Sequence, residues 1–225
     1  MFGLFLIRIT ISYQDDIIKI INMKKGKFIV LDGVDGSGKG TQLAKLAEFI
    51  FRTDKSKQVV LTREPFKYNL EIRKILKKEK KPQAQSEKLT RLFVKDRIFH
   101  TSVIKKLTLL GFDVVCDRYK YSTLAYQQTQ GIPLAKLLEM HKGILLPDLA
   151  IIIDIPVRAV LARIHKDPNR KFKEMFEQEE FQEKLRQNFL ALPKQLPDEK
   201  IVIIDGNRSP EKVFELIKKE VDTIL

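Results

Sequence analysis

Nine consecutive residues carry the most specific chemistry in the chain: Gly33-Val34-Asp35-Gly36-Ser37-Gly38-Lys39-Gly40-Thr41. Glycines at this spacing let successive backbone N–H groups turn inward around phosphate oxygens. The preceding apolar run, residues 28–32, predicts a buried strand, and helical spacing resumes from Thr41, so the motif stands in the strand–turn–helix setting it requires. A helix opening near Lys39 adds the positive end of its dipole. The Lys39 ammonium would reach the β- and γ-phosphates of a nucleoside triphosphate and offset charge during transfer. One position departs from the common pattern. Gly40 stands where a serine or threonine hydroxyl would meet Mg²⁺, and Thr41 follows, placed to contact the α-phosphate. Mg²⁺ keeps several waters readily, so phosphates and water can hold most of its shell.

Such a loop serves ATPases, GTPases, helicases and kinases alike, so the second substrate has to be read elsewhere. Arg63, Arg97 and Arg118 each fall beside an expected strand end or on a facing helix. Ligands of open α/β sheets bind outside the carboxyl ends of the strands. Three guanidinium forks there match the oxygens of a phosphate monoester.

The elements that must position these groups alternate along the chain. Short apolar runs predict strands at residues 28–32, 58–62, 112–116, 150–154 and 201–204. Helical spacing falls at 41–51, 70–78, 86–110 (one helix or two, ended by Gly111), 157–165, 179–189 and 210–224. The expected fold class is therefore α/β: a three-layer P-loop NTPase fold with a five-stranded parallel sheet, helices on both faces and a short lid. A length of 225 residues suits one such domain. Met23 stands directly before Lys24-Lys25-Gly26-Lys27, which makes residues 1–22 an expected N-terminal extension and 23–225 the working domain. The apolar stretch 1–11 is too short to span a bilayer and lacks the marks of a signal peptide.

Composition narrows the classes further. The net charge is +13, and 30 of the 42 basic residues are lysine, a pattern of a solvated surface as much as of an anionic partner. No motor motif accompanies the loop, which argues against a nucleic-acid-driven ATPase. A single cysteine, Cys116, rules out an internal disulfide or a zinc cluster and sits in a strand as a buried thiol. His100, His141 and His165 lie far apart in sequence.

Several segments resemble the thymidylate kinase family of P-loop nucleoside monophosphate kinases. They are Thr62-Arg63-Glu64-Pro65 with Glu71-Ile72-Arg73, then Leu92-Phe93-Val94-Lys95-Asp96-Arg97, and Asp117-Arg118-Tyr119-Lys120-Tyr121-Ser122-Thr123-Leu124-Ala125-Tyr126-Gln127. Pro147-Asp148-Leu149 and Phe176-Glu177 look like later landmarks of the same family, and the likeness spans residues 26–220. The Gly-Lys-Gly-Thr-Gln ending of the phosphate loop is also shared by many nucleoside monophosphate kinases.

The resemblance implies phosphoryl transfer from ATP to dTMP with Mg²⁺, giving dTDP and ADP; the alternative is a related kinase for another nucleoside or nucleotide. It implies that Arg63, Arg97 and Arg118 hold the acceptor phosphate and the migrating group, that Arg73 hydrogen-bonds the base, and that Phe93 stacks on it. Ser122 and Thr123, the latter at the base edge, belong to the same pocket with Gln127 nearby, and Tyr126 lies against C2′ of the sugar. By the same resemblance Asp35 faces the sugar 3′-hydroxyl or the acceptor phosphate and its Mg²⁺, Glu177 lies near the metal's water shell, and Lys39, Asp35 and Arg118 form the catalytic set.

A lid at residues 163–176 would bring Arg163 and Arg170, with Lys171 and Lys173, over the ATP phosphates. The family often has an arginine where this chain has Met175, a Gly-Gly-Thr run where it has Phe66-Lys67-Tyr68, and a glycine-rich stretch where it has Gln127-Gln128-Thr129-Gln130-Gly131. A homodimer in a reducing cytoplasm is the family expectation, with small nucleotides as partners and no nucleic acid or membrane. Plainer readings stand beside these: Phe93 and Tyr126 as packing, Arg73 as a solvated charge, Arg97 as the partner of a neighbouring carboxylate, and the lid as a solvated basic loop.

Overall fold

The computed structural model describes residues 24–78, 85–166 and 179–225. Five strands form one parallel sheet in the order β2-β3-β1-β4-β5: β1 (Phe28–Asp32), β2 (Val59–Arg63), β3 (Asp113–Asp117), β4 (Leu149–Asp154) and β5 (Ile201–Asp205). The strands alternate their side chains between two faces, so a run such as Phe28-Ile29-Val30-Leu31 feeds both cores at once. Ile29, Leu31, Val115, Ile151 and Ile153 pack against α1 (Lys39–Thr53) and α8 (Pro210–Asp222) through Leu46, Ile50, Ile217 and Val221. Phe28, Val30, Val114, Cys116 and Ile152 face the opposite layer, built from α3 (Ser86–Leu109), α4 (Lys120–Thr129), α5 (Leu134–Met140) and α7 (Glu179–Gln195). Two shorter-reach helices, α2 (Asn69–Lys78) and α6 (Val157–Lys166), follow β2 and β4.

The three-layer α/β architecture anticipated from the alternation of apolar runs is the one observed. Residues 86–110 resolve as a single helix closed by a Schellman turn, with Gly111 at φ 84 and Phe112 N–H donating to Leu107 O at 3.1 Å. The helices α4 and α5 carry no clear apolar period and were not among the expected elements. The expected extension 1–22 and most of the expected lid lie outside the described residues, as do Arg170, Met175 and Glu177. Within them, Arg186 on α7 makes a two-pronged bridge to Asp154 at the end of β4 (2.7 and 2.8 Å), which anchors that helix to the sheet beside the phosphate loop.

Candidate active site

β1 and β3 are hydrogen-bonded neighbours, and both end at the same edge of the sheet. The phosphate loop leaves β1 at Gly33, whose φ of 137 a side chain would resist, and Gly38 enters α1 at φ 93. Lys39 folds back into the loop. Its Nζ donates to Gly33 O (3.1 Å), Val34 O (2.8 Å) and Ser37 Oγ (3.4 Å). Burial, and next the charge of Arg118, lower the Lys39 ammonium from 10.5 to about 8.

Arg118 leaves β3 with φ 69, a left-handed conformation unusual for a residue with a side chain. The turn aims its guanidinium back across β1. It pairs with Asp35 in the phosphate loop, donates to Ser122 Oγ at 2.8 Å and reaches Gly33 O at 3.3 Å. The Tyr126 ring lies 5.7 Å from the same guanidinium, and its hydroxyl donates to Asp35 at 3.4 Å. Asp35, Arg118, Ser122 and Tyr126, assigned to the site from sequence, thus form one cluster directly against the lysine-bearing loop.

A residue missed from sequence underlies that cluster. Asp32, fully buried at the end of β1, accepts Gly33 N–H (2.8 Å), Ser122 Oγ–H (2.6 Å), Ser122 N–H (2.9 Å) and Tyr119 N–H (3.1 Å). Burial raises its pKa, with Arg118 opposing most strongly. Its carboxylate caps the first turn of α4, where the N-cap residue Tyr119 supplies no side-chain bond. The only sequence signal was an aspartate placed directly before the loop's first glycine. Glu199 completes the anchoring of α4 by accepting from Lys120 Nζ (2.6 Å) and Tyr121 Oη (2.8 Å).

The remaining expected residues are distributed as follows. Arg63 is exposed at the end of β2, with Nη2 3.8 Å from Asp117 Oδ2. Arg97 is 1% exposed and committed to protein groups: Glu64 (2.6 Å), the Nε2 of His141 (2.6 Å), Tyr119 O and Thr123 Oγ1 (both 3.1 Å). The Glu64 pair is a carboxylate contact of the kind the plainer reading of Arg97 names. Thr123 and Gln127 are buried on α4; Gln127 Nε2 donates to Gln130, while its Oε1 has no hydrogen-bond partner among the described residues. Phe93 is half-buried on α3, and Arg73 is exposed on α2. Arg163 donates to Gly36 O (3.3 Å) and Gly206 O (3.4 Å), which places it over the phosphate loop.

The Phe66-Lys67-Tyr68 run has a physical account. The buried Asp96 carboxylate accepts all three backbone N–H groups, so the turn is held without reference to its side chains. The Phe66 ring stacks on His100 at 4.4 Å. Asp117, at the end of β3, keeps a buried Oδ1 with no hydrogen-bond partner among the described residues. No group of three or more metal-ligating side chains converges among them. No helix there is long and apolar enough to cross a membrane.

A phosphate loop on the central strand of a parallel sheet, facing an arginine just past the end of the adjacent strand, is the arrangement of a P-loop nucleotide-binding protein. A family model described as "Thymidylate kinase" matches residues 31–217. Relatives named "Probable thymidylate kinase" include that of Pyrococcus horikoshii, 40% identical over 190 residues (79% of this chain, 88% of the relative). Those of Thermococcus kodakarensis (35% over 208 residues; 88% and 98%) and Staphylothermus marinus (35% over 198; 87% and 94%) share the name. The chain belongs to the thymidylate kinase family.

Proposed function

We propose that the chain transfers the γ-phosphoryl group of ATP to dTMP, giving dTDP and ADP. The observation that carries this reading is the Arg118–Asp35 pair, set between the phosphate loop with Lys39 and the first turn of α4. An oxygen of the dTMP phosphate forms the new bond to the γ-phosphorus as the bond to the β,γ-bridging oxygen breaks. The attacking oxygen is already anionic, so no general base is required; positioning and charge neutralisation do the work. Lys39 would exchange its loop carbonyls for β- and γ-phosphate oxygens. Arg118 would bridge acceptor and migrating phosphate, with Asp35 and Ser122 setting its plane. Arg63 would add charge at the acceptor phosphate and Arg163 at the donor phosphates. Gln127 Oε1, buried and without a hydrogen-bond partner among the described residues, would accept the N3–H of thymine, and Tyr126 would lie against the sugar.

Mg²⁺ fits this site as an ion carried mainly by phosphates and water. Asp35 and Asp117, whose Oδ1 has no hydrogen-bond partner among the described residues, would orient its water shell, and Glu177 is the expected addition from the lid. When bound, the ion would offset charge on the phosphate oxygens. An exposed apolar face along edge strand β2 and α3, where Leu61, Ile98 and Phe99 stand open and Phe66 stacks on Phe99 at 6.2 Å, supports a homodimer as part of this reading. A reducing cytoplasm suits the lone buried thiol.

The test is ADP release with ATP, Mg²⁺ and each of dTMP, dUMP, UMP, CMP and AMP, with Lys39→Ala as control. A clear preference for dTMP and a dead control support the reading. Preference for another monophosphate would keep the kinase and replace the substrate.

A further inference from the structure

Arg97 enters the interior from α3 and is held on three sides. Its Nε donates to Glu64 Oε2 at 2.7 Å, and Nη2 lies 2.6 Å from the same oxygen. Its Nη2 also reaches Tyr119 O and Thr123 Oγ1, the N-cap and first turn of α4. The acceptor given to Nη1 is the Nε2 of His141, at 2.6 Å.

The role of His141 follows from its other nitrogen. Nδ1 lies 2.6 Å from Leu137 O, and a carbonyl only accepts, so Nδ1 carries the ring proton. Nε2 is then left with its lone pair facing the guanidinium. The neutral form is the stable one: burial, and next the Arg97 charge, hold the imidazole down at about 3. His141 is the C-cap of α5, which packs beside α4.

We propose that His141 is a positioning residue for the acceptor pocket, fixing the plane of Arg97 and, through it, the Thr123 hydroxyl and the α4 turn that follows Arg118. Nη1 of Arg97 has one contact, to His141, while Nη2 has the Glu64 oxygen at 2.6 Å and two longer contacts at 3.1 Å. Without the His141 acceptor, Nη1 is left buried with an unmet donor, and the guanidinium can tilt on its Glu64 contact to seek another, which loosens the longer Nη2 contact to Thr123. The proposal rests on the dTMP kinase reading and adds to it a residue that touches neither nucleotide.

The experiment compares wild type, His141→Phe and His141→Gln in the full chain, measuring KM and kcat for dTMP and for ATP at a temperature below every melting point. Phenylalanine keeps a ring and removes the acceptor; glutamine restores an acceptor oxygen. The expected result is a KM for dTMP raised about tenfold or more in His141→Phe, as for a lost bond to a charged group. The KM for ATP stays within about twofold, and His141→Gln stays within about threefold of wild type. An unchanged dTMP KM in folded His141→Phe, an equal rise in both KM values, or a His141→Gln as impaired as His141→Phe overturns the proposal. If His141→Phe fails to fold, His141→Gln decides alone: retention of the dTMP KM supports it and a tenfold rise overturns it. Wild type inactive on dTMP would instead strike the kinase reading itself, before any variant is compared.

Discussion

Asp32 accepts the Ser122 hydroxyl at 2.6 Å across ninety positions of sequence, and this bond ties the end of β1 to the helix that carries the arginine cluster. The same carboxylate holds two backbone N–H groups of that helix start. Asp32→Ala would leave those donors buried and unpaired, so the chain should lose about 3 kcal/mol of stability in urea unfolding. Because Ser122 orients Arg118, kcat should fall at least about tenfold in the same variant. Asp32→Asn, which can still accept, should lie between wild type and alanine in both measurements.

The lowered Lys39 value makes a pH prediction of definite sign. The ammonium is charged below about pH 8 and neutral above it. Phosphate binding needs the charged form, so kcat/KM for ATP should be level up to about 8 and then decline as pH rises. Stability moves the other way: the folded chain binds fewer protons than the unfolded one between about 8 and 10.5, so Lys39 lets stability rise through that window. Lys39→Ala should lower kcat by a factor on the order of 10³ and abolish the alkaline limb that this group produces.

Two loop glycines should respond oppositely to substitution. A Cβ at Gly33 would stand 2.6 Å from Ile153 O at a φ of 137, so Gly33→Ala should destabilise by about 2 kcal/mol or more and weaken ATP binding. A Cβ at Gly40 meets nothing within 4 Å. Gly40→Ser should therefore fold normally. By supplying a hydroxyl at the position that meets Mg²⁺ in related loops, it should lower the Mg²⁺ concentration needed for half-maximal rate.

Cys116 is fully buried, its thiol donates to Arg118 O at 3.0 Å, and burial pushes its pKa well up. A thiol-specific reagent such as a disulfide chromophore should leave the native chain unlabelled at neutral pH and label one thiol per chain in denaturant. Fast labelling of native protein would contradict the packing of β3 against α3.

Much of this arrangement was legible in local sequence. The five apolar runs and the long helices announced the sheet and its two layers, because buried parallel strands and amphipathic faces write a period into the chain. The phosphate loop was legible for the same reason: its function is local. Helix α4 was not, because it is buried on several sides. Tyr121, Thr123, Leu124 and Gln127 are all inside, which erases a one-sided stripe. The seven-residue α5 is too short to show one. The partners of Arg97 were hidden more deeply, since Glu64 lies 33 positions away and His141 44. A side chain whose value is to be an acceptor for a distant guanidinium leaves no spacing to read.

Arg118 N–H donates to Leu31 O at 2.9 Å, so the arginine turn is laced to the strand that launches the phosphate loop. On the proposed reading, the loop that grips the donor phosphates and the turn that carries the acceptor's arginine both leave adjacent strands about 4.8 Å apart. That interval is fixed by peptide hydrogen bonds rather than by any flexible segment. The sheet therefore acts as a ruler for the reaction: nucleotides can arrive and leave by rearranging what surrounds the strand ends, while the distance a phosphoryl group must cross is written into the backbone.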